Sequence, residues 1–119
     1  RSGIYAINQQ GQATRFCSNL AWGSHIEFDA LGVFFDGDMF VTGKNNSADS
    51  LQLYRISSDG VATPFIQTDG EINGFTFGAD GALYFHEFYQ GTSNIIRVVP
   101  EPATMLLLGL GCLGLYRRK

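Results

Sequence analysis

Residues that could do acid–base or metal chemistry are few in this chain and do not form a complete set. His25 and His86 are its only histidines. Glu87 follows His86 directly, but neighbours in a strand point to opposite faces, which argues against a histidine–carboxylate pair. His25 is expected at the edge of a strand. Neither histidine has a second one at helical or hairpin spacing, so the pattern does not indicate a zinc site.

The acidic and nucleophilic residues give no stronger indication of chemistry. Asp36-Gly37-Asp38, with Asp29 shortly before it, could begin a calcium loop, but the helical flanks of such a loop are absent. This stretch is therefore predicted to be a hairpin turn. Cys17 has no histidine near it in sequence to activate a thiol. No Gly-x-Ser-x-Gly elbow and no glycine-rich phosphate loop occurs, so we do not expect an enzyme.

The C-terminal end differs from everything before it. Pro100-Glu101-Pro102 precede an uncharged apolar run, Ala103–Tyr116, and Arg117-Arg118-Lys119 follow. As a helix, this run would be about 21 Å long. A stable membrane span needs roughly 20 apolar residues, or about 30 Å of helix, so the run is too short for one. A basic cluster after it would hold that end on the cytoplasmic side. We expect a short hydrophobic helix that anchors the chain transiently. Its long apolar side chains are those of Met105, Leu106, Leu107, Leu108, Leu110, Leu113 and Leu115.

A buried core helix is the alternative for this end, but it would carry an apolar stripe and not apolar residues all round. The three elements, in this order, resemble the PEP-CTERM sorting signal of exported proteins of Gram-negative bacteria. By this resemblance Pro100, Glu101 and Pro102 are the recognition motif, and Arg117, Arg118 and Lys119 are the basic stop. The resemblance implies cleavage by an exosortase-type membrane protease. It also implies transient anchoring in the inner membrane and release at the cell surface or outside, where extracellular polysaccharide is a candidate partner.

The composition of the chain is acidic. Its formal net charge is −3, and the tail holds three of the eight basic residues but only one of the eleven acidic residues. An acidic body without a basic patch argues against nucleic acid as a partner. Cys17 lies in the body and Cys112 in the tail, so no intramolecular disulfide is expected. The chain begins at Arg1 without a signal peptide, and we therefore interpret it as the C-terminal part of a longer protein.

An internal repeat organises the body. The stretch 3–16 recurs as 52–65 at an offset of 49 residues, and each copy is typical of a strand, a glycine turn and a second strand. The identical pairs are Tyr5/Tyr54, Ile7/Ile56, Gly11/Gly60, Ala13/Ala62, Thr14/Thr63 and Phe16/Phe65. A second unit, 32–41, aligns with 74–85 if the turn in 32–41 is two residues shorter than the turn in 74–85. Four strands in about 45 residues is typical of a β-propeller blade.

The fold predicted from these units is all-β and antiparallel. We expect about two blade-like units, near 3–42 and 52–88, with a last strand at 95–99, in a domain 1–99 followed by the tail 100–119. The loop 44–50 would separate the units. Because propellers need four to eight blades, this ring would be incomplete, and a plain antiparallel sandwich or meander is the alternative. The predicted strands are 4–8, 13–17, 27–35, 39–42, 51–57, 62–67, 72–77, 83–88 and 95–99.

The repeated units resemble NHL-type and gluconolactonase-type propellers over most of residues 3–99. The blade pattern of these families matches Gly74, Phe77, Asp80, Gly81, Leu83 and Tyr84. The gluconolactonase resemblance implies that Asn73, with Glu71 nearby, is one oxygen ligand of a divalent cation such as calcium. Calcium takes six to eight oxygens, and a turn that enters a strand explains Asn73-Gly74 equally well. The body is therefore interpreted as a binding or structural module. The alternative is a gluconolactonase-like metal-dependent hydrolase whose other blades are missing here.

Overall fold

A computed structural model of the chain describes residues 3–17, 19–46 and 48–100. Within these ranges it contains nine β-strands and no helix, so the predicted all-β antiparallel class is confirmed. The strands are β1 (Ile4–Ile7), β2 (Ala13–Cys17), β3 (Trp22–Phe28), β4 (Met39–Lys44), β5 (Gln52–Ile56), β6 (Ala62–Ile66), β7 (Glu71–Phe77), β8 (Leu83–Tyr89) and β9 (Thr92–Val98). The predicted C-terminal helix, 103–116, lies outside the described ranges.

Three antiparallel sheets contain all of these strands in chain order. The first sheet is the hairpin β1-β2, the middle sheet is the meander β3-β4-β5-β6, and the third sheet is the meander β7-β8-β9. The turns of the hairpins β1-β2 and β5-β6 each contain a glycine with positive φ, Gly11 at 83° and Gly60 at 86°. This backbone conformation favours glycine because it has no Cβ. The glycine turns predicted from the sequence are thus confirmed.

The central strands of the middle sheet, β4 and β5, are buried on both faces, whereas most residues of β3 are exposed. Along β4, Phe40 belongs to the core shared with the third sheet, whereas Val41 belongs to the core shared with the first sheet. Along β5, Leu53 belongs to the core shared with the third sheet and Ile56 to the core shared with the first sheet. Successive strand residues point to opposite faces, so this alternation fills two separate hydrophobic layers. The three sheets are therefore stacked, with β4 and β5 between the two cores.

Aromatic rings dominate the core between the middle and third sheets. Phe35 packs edge-on against Phe40 and Phe65, with ring centroids 5.5 and 5.7 Å apart, and Phe77 lies against both Phe35 and Phe40. Edge-to-face packing at these distances adds to the gain from burying the rings. The guanidinium of Arg55 lies 5.5 Å from the centre of the Phe40 ring. This cluster joins the two sheets.

The predicted third strand, 27–35, is wrong, because the strand lies at Trp22–Phe28 and is followed by a loop, 29–38. The carboxylate of buried Asp29 accepts hydrogen bonds from the backbone N–H groups of Gly32, Phe35 and Gly37 at 3.1–3.2 Å. A side chain that binds its own loop in this way competes with strand pairing. Phe35 is buried at the end of this loop and contributes to the core from outside any strand.

The predicted unit boundaries do not coincide with the sheets. Residues 44–50 were expected to separate two units, but they connect β4 to β5, which pair within the middle sheet. The chain instead passes between sheets after Cys17 and after Ile66. The alignment of 32–41 with 74–85 is also wrong. The turn after β3 is longer than the turn after β7, not shorter, because it contains the Asp29 loop.

The ninth strand begins three residues earlier than predicted. Gln90 and Gly91, with φ of 50° and 80°, form a two-residue turn between Tyr89 and Thr92, where the sequence suggested a longer loop. Positive φ at both turn residues matches the twist of the flanking strands, so β8 and β9 pair up to the turn. The other seven strands begin and end within two residues of their predicted positions.

Candidate functional site

The first candidate site is a polar contact between β3 and β7. The imidazole Nε2 of His25 lies 2.9 Å from Oε2 of Glu27, and Thr76 donates its hydroxyl to the other carboxylate oxygen at 3.3 Å. His25 also packs edge-on against Phe75, with ring centroids 4.9 Å apart. His25 and Glu27 are two residues apart in a strand, so they share a face. The sequence interpretation missed this pair because it considered adjacent residues only.

Both β3 and β7 contain a bulge at this level. The pairing of β3 with β4 skips Ser24, and the pairing of β7 with β8 skips Asn73. A bulge turns the following side chains to the other face of the strand. Asn73 is exposed on its bulge. The predicted turn before a strand is therefore a bulge inside β7.

The residues around Asn73 do not fit a calcium site. Oε1 of Glu71 accepts a hydrogen bond from the backbone N–H of Leu51 at 2.8 Å, so this carboxylate links β7 to the middle sheet. In the described ranges, no group of three or more His, Cys, Asp or Glu side chains could hold a metal ion. Calcium takes six to eight oxygen ligands, and the side chains of Asn73 and Glu71 cannot supply that number.

The other candidate residues have structural partners. Arg55 donates to Asp38 at 2.7 Å and lies 3.8 Å from the exposed Asp36, so this acidic pair binds a side chain of β5. Cys17 is fully buried, and its Sγ lies 3.5 Å from Oδ1 of Asn19. A buried thiol of this kind packs as a small apolar residue.

A polar depression opens where the chain passes from the middle to the third sheet. Its volume is about 560 Å³, and its lining residues are Asp49, Ser50, Gln52, Tyr54, Gln67, Thr68 and Asp69. Burial, with a smaller contribution from the Asp49 carboxylate, raises the pKa of the Tyr54 phenol. Hydroxyl, amide and carboxylate groups around an open depression can bind a polar ligand through hydrogen bonds.

Gln52 fixes the floor of this depression. Its side-chain amide donates to the carbonyl oxygen of Gly70 and to the hydroxyl of Ser50, both at 2.9 Å. Its oxygen accepts a hydrogen bond from the backbone N–H of Thr68 at 2.6 Å. A buried amide satisfied on both sides holds its neighbours in one arrangement. The rim residues are therefore presented on a rigid base.

The tail joins the body without a linker. Val98, the last residue of β9, pairs with Leu83 and packs against the core of the third sheet. Pro100 follows two residues later and is exposed. Glu101 and Pro102, the apolar run 103–116 and the basic residues 117–119 lie outside the described ranges. Within those ranges, no helix is long and apolar enough to cross a membrane.

Comparison with known proteins characterises the tail and not the body. No curated protein and no solved structure shows significant similarity to the chain. Residues 98–119 match the family model of the PEP-CTERM protein-sorting motif. Proteins with this motif are exosortase substrates, so the match supports an exported protein with an exosortase partner in general terms. This chain therefore carries a C-terminal sorting signal of the PEP-CTERM family, and the signal begins on the last residue of β9.

Proposed function

We propose that this chain is delivered to the cell surface or extracellular matrix through its C-terminal signal. An exosortase-type protease recognises Pro100-Glu101-Pro102 while the run 103–116 anchors the chain in the inner membrane and Arg117-Arg118-Lys119 stop its transfer. The match of residues 98–119 to the sorting motif carries this proposal. The exposure of Pro100 beside a folded body supports it, because a protease needs an accessible segment.

The experiment is expression of the chain behind an export leader in a host that contains an exosortase. The full chain should fractionate with the membrane and then lose its tail. The variant that ends at Val99 should do neither, and a Glu101→Ala variant should anchor but be cleaved more slowly. Deletion of the exosortase is the control and should leave the full chain uncleaved. A full chain that is neither anchored nor cleaved would refute the proposal.

We propose further that the body is a β-propeller-type binding or structural module. Three observations support this fold. The hairpins β1-β2 and β5-β6 are related by an offset of 49 residues, and the bulge residues Ser24 and Asn73 have the same offset. The middle sheet is a four-stranded meander whose central strands are buried on both faces. Such a sheet between two neighbours is typical of a blade in a propeller.

The polar depression around Gln52 is the candidate ligand site of this module, and extracellular polysaccharide is the candidate ligand. Asp49 and Asp69 on its rim can accept hydrogen bonds from sugar hydroxyl groups. Co-sedimentation of the protein with acidic and neutral polysaccharides tests this role. An Asp49→Ala/Asp69→Ala double variant should lose binding, whereas Asp36→Ala, an exposed carboxylate elsewhere, should retain it. Equal binding by all three proteins would exclude the depression.

A further inference from the structure

Ile95 in β9 and Ile7 in β1 carry the most exposed large apolar side chains of the described ranges. Their surfaces are 71% and 69% accessible to solvent. Exposed apolar residues are common on protein surfaces, so this exposure alone indicates no interface. Their places in the strand register, however, correspond to two residues that are buried in the middle sheet.

Ile7 occupies the register position of Ile56. It pairs with Ala13 as Ile56 pairs with Ala62, and the two pairs are related by the offset of 49 residues. Ile56 is buried in the core between the middle sheet and the first sheet, which precedes it in the chain. Ile7 therefore lies on a side of the first sheet that no other described sheet covers.

Ile95 occupies the register position of Leu53. The last residues of β3 and β7 are 49 positions apart, and from them the same pairing runs across the next two strands of each sheet. The corresponding rows are Phe28/Met39/Ile56 with Phe77/Leu83/Val98, and Thr42/Leu53 with His86/Ile95. Leu53 is buried in the core between the middle sheet and the third sheet, which follows it. Ile95 therefore lies on the outer face of the third sheet, which no further described sheet covers.

An ion pair on the outer face of the third sheet repeats one of the middle sheet. In the middle sheet, Arg55 of β5 donates to Asp38, just before β4, at 2.7 Å. In the third sheet, Arg97 of β9 donates to Asp80, shortly before β8, at 3.1 Å. Arg97 lies two residues after Ile95 in the strand, so the two share a face. This face therefore has the pattern of a face that the next sheet covers in the rest of the molecule.

Two kinds of register position meet in each contact between sheets. We name forward positions those that face the following sheet and backward positions those that face the preceding sheet. The forward residues are Ile4, Leu53 and Ile95, and the backward residues are Ile7, Ile56 and Val98.

Both contacts within the chain join one forward and one backward residue. Ile4 and Ile56 lie in the core between the first and middle sheets. Val98 packs against the core between the middle and third sheets, to which the forward residue of β5 belongs. One residue of each kind is then left, the forward residue of β9 and the backward residue of β1. These are the two most exposed apolar residues, so the chain carries the two halves of a third contact of the same type.

We propose that these two faces bind each other between two copies of this chain, with Ile95 of one copy against Ile7 of the other. The contact is heterologous, because different faces meet. Two copies that make it twice close a ring of six sheets and leave neither face exposed, and six lies within the four to eight blades of propellers. Burial of the two isoleucines favours this association, since it removes apolar surface from water. The two-stranded first sheet suffices, because β1 is the counterpart of β5.

Cross-linking between two full-length chains with tags of different size tests the contact. One chain carries Ile7→Cys and the other Ile95→Cys, and Cys112→Ser removes the thiol of the tail from both. Stacked sheets lie about 10 Å apart, too far for a direct disulfide, so a bismaleimide of about that length is the reagent. In the control mixture Leu31→Cys replaces Ile7→Cys, because Leu31 is 59% exposed but lies between β3 and β4 of the middle sheet. Buried Cys17 stays in place in all chains.

The 7–95 product between the two tagged chains should form at least tenfold faster than the 31–95 product. It should also form at least tenfold faster than the 7–7 and 95–95 products of the separate chains. Equal rates for the 7–95 and 31–95 products would overturn the proposal. Faster formation of the 7–7 or 95–95 product would overturn it as well, because identical faces would then meet.

Sedimentation of the full-length chain in detergent gives a second measurement. Ile7→Arg and Ile95→Arg should each raise the dissociation constant of the dimer at least tenfold, whereas Leu31→Arg should change it less than twofold. All three side chains are exposed, so an unchanged thermal unfolding midpoint of the monomer shows that the fold is intact. Equal dissociation constants for the wild type and all variants would place the association in the tail and overturn the proposal. A wild type that stays monomeric would also overturn it, because another protein would then have to cover both faces.

This contact is independent of the proposed sorting and ligand-binding functions. Ile7 and Ile95 belong neither to the sorting motif nor to the lining of the polar depression. Absence of the 7–95 product in a chain that is anchored, cleaved and able to bind polysaccharide would refute only the contact between copies. Its formation in a chain that is neither sorted nor bound to polysaccharide would leave the contact in place and refute those functions.

Discussion

Thr76 donates a hydrogen bond to Glu27 at 3.3 Å, and these two residues are 49 positions apart. The same offset relates the hairpins β1-β2 and β5-β6 in the sequence and the bulges at Ser24 and Asn73. The contact therefore joins corresponding positions of the first strands of two successive sheets. The contact between β3 and β7 lies beside the core that the middle and third sheets share, and the other face of β4 and β5 packs on the first sheet.

Phe35 is the residue through which the Asp29 loop contributes most to the core. It is 1% exposed and contacts the rings of Phe40, Phe65 and Phe77. Phe35→Ala should lower the free energy of unfolding by about 3–5 kcal/mol, because it removes a ring and leaves a cavity. Phe34→Ala is the matched control, since this neighbouring ring is 36% exposed, and it should cost less than half as much. Urea unfolding followed by tryptophan fluorescence measures both, and similar losses would contradict the assigned core.

The carboxylate of Asp29 should contribute to the free energy of unfolding. Its carboxylate accepts three backbone hydrogen bonds, and Asp29→Ala leaves the buried N–H of Phe35 without its acceptor, whereas Gly32 keeps its bond to the Asp29 carbonyl oxygen. A buried donor left without a partner costs about 1–3 kcal/mol, and we expect a loss of stability in this range. Asp36→Ala removes an exposed carboxylate of the same loop and should change stability by less than about 0.5 kcal/mol. Thermal unfolding of both variants gives the comparison.

Local patterns predicted the strands well where local chemistry decides the structure. Alternating apolar residues and the glycine turns at Gly11 and Gly60 predicted both hairpins. The third strand was misplaced because Phe35 looks like a strand residue, yet the backbone there binds the Asp29 carboxylate. The pairing of β4 with β5 was missed because the polar loop between them looked like a linker. Only the three-dimensional register could show that this loop stays within one sheet.

The candidate sites also differ in whether the sequence alone could predict them. The sorting tail was identified from the sequence because its three elements are contiguous, and the family match agrees. The polar depression could not be predicted, because Asp49 and Asp69 come together only when β5 and β6 pair. The His25–Glu27 pair could have been found from its spacing of two residues in a strand.

Asn73 provides a direct test of calcium binding. Because Glu71 is bound to the backbone of Leu51 and Asn73 is exposed on its bulge, we expect no calcium-dependent stabilisation of this chain. Thermal unfolding with excess calcium chloride or with a chelator should give the same midpoint, and Asn73→Ala should behave as the wild type. A calcium-dependent rise in the midpoint that Asn73→Ala removes would contradict this expectation and would favour the hydrolase alternative.

Asp80 should titrate below the usual range of a carboxyl group. The backbone N–H of Ala82 is the main cause of its lowered pKa, and hydrogen bonds from Tyr84 and Arg97 contribute less. Because the pKa of Asp80 is lower in the folded state, its contribution to stability is present above the unfolded pKa and is lost as the pH falls through the folded pKa. Arg97→Gln should raise the Asp80 pKa only in part, since the Ala82 bond remains. NMR titration of the Asp80 carboxyl carbon measures this. A complete return to the ordinary pKa in Arg97→Gln would show instead that Arg97 is the dominant cause.

Gly60 and Gly11 have nearly the same backbone conformation but different surroundings, and this makes them a matched pair. A Cβ added at Gly60 would overlap the carbonyl oxygen of Phe16, whereas nothing lies within 4 Å of a Cβ at Gly11. Gly11→Ala should therefore show only the cost of a positive φ, about 1–2 kcal/mol. Gly60→Ala adds a backbone collision between the β5-β6 turn and the end of β2, for which we expect a further loss of about 1–3 kcal/mol. Urea unfolding of the two variants measures the difference. Equal losses would mean that the β5-β6 turn does not pack against the first sheet in solution, which would contradict the packing of the first sheet on the middle sheet.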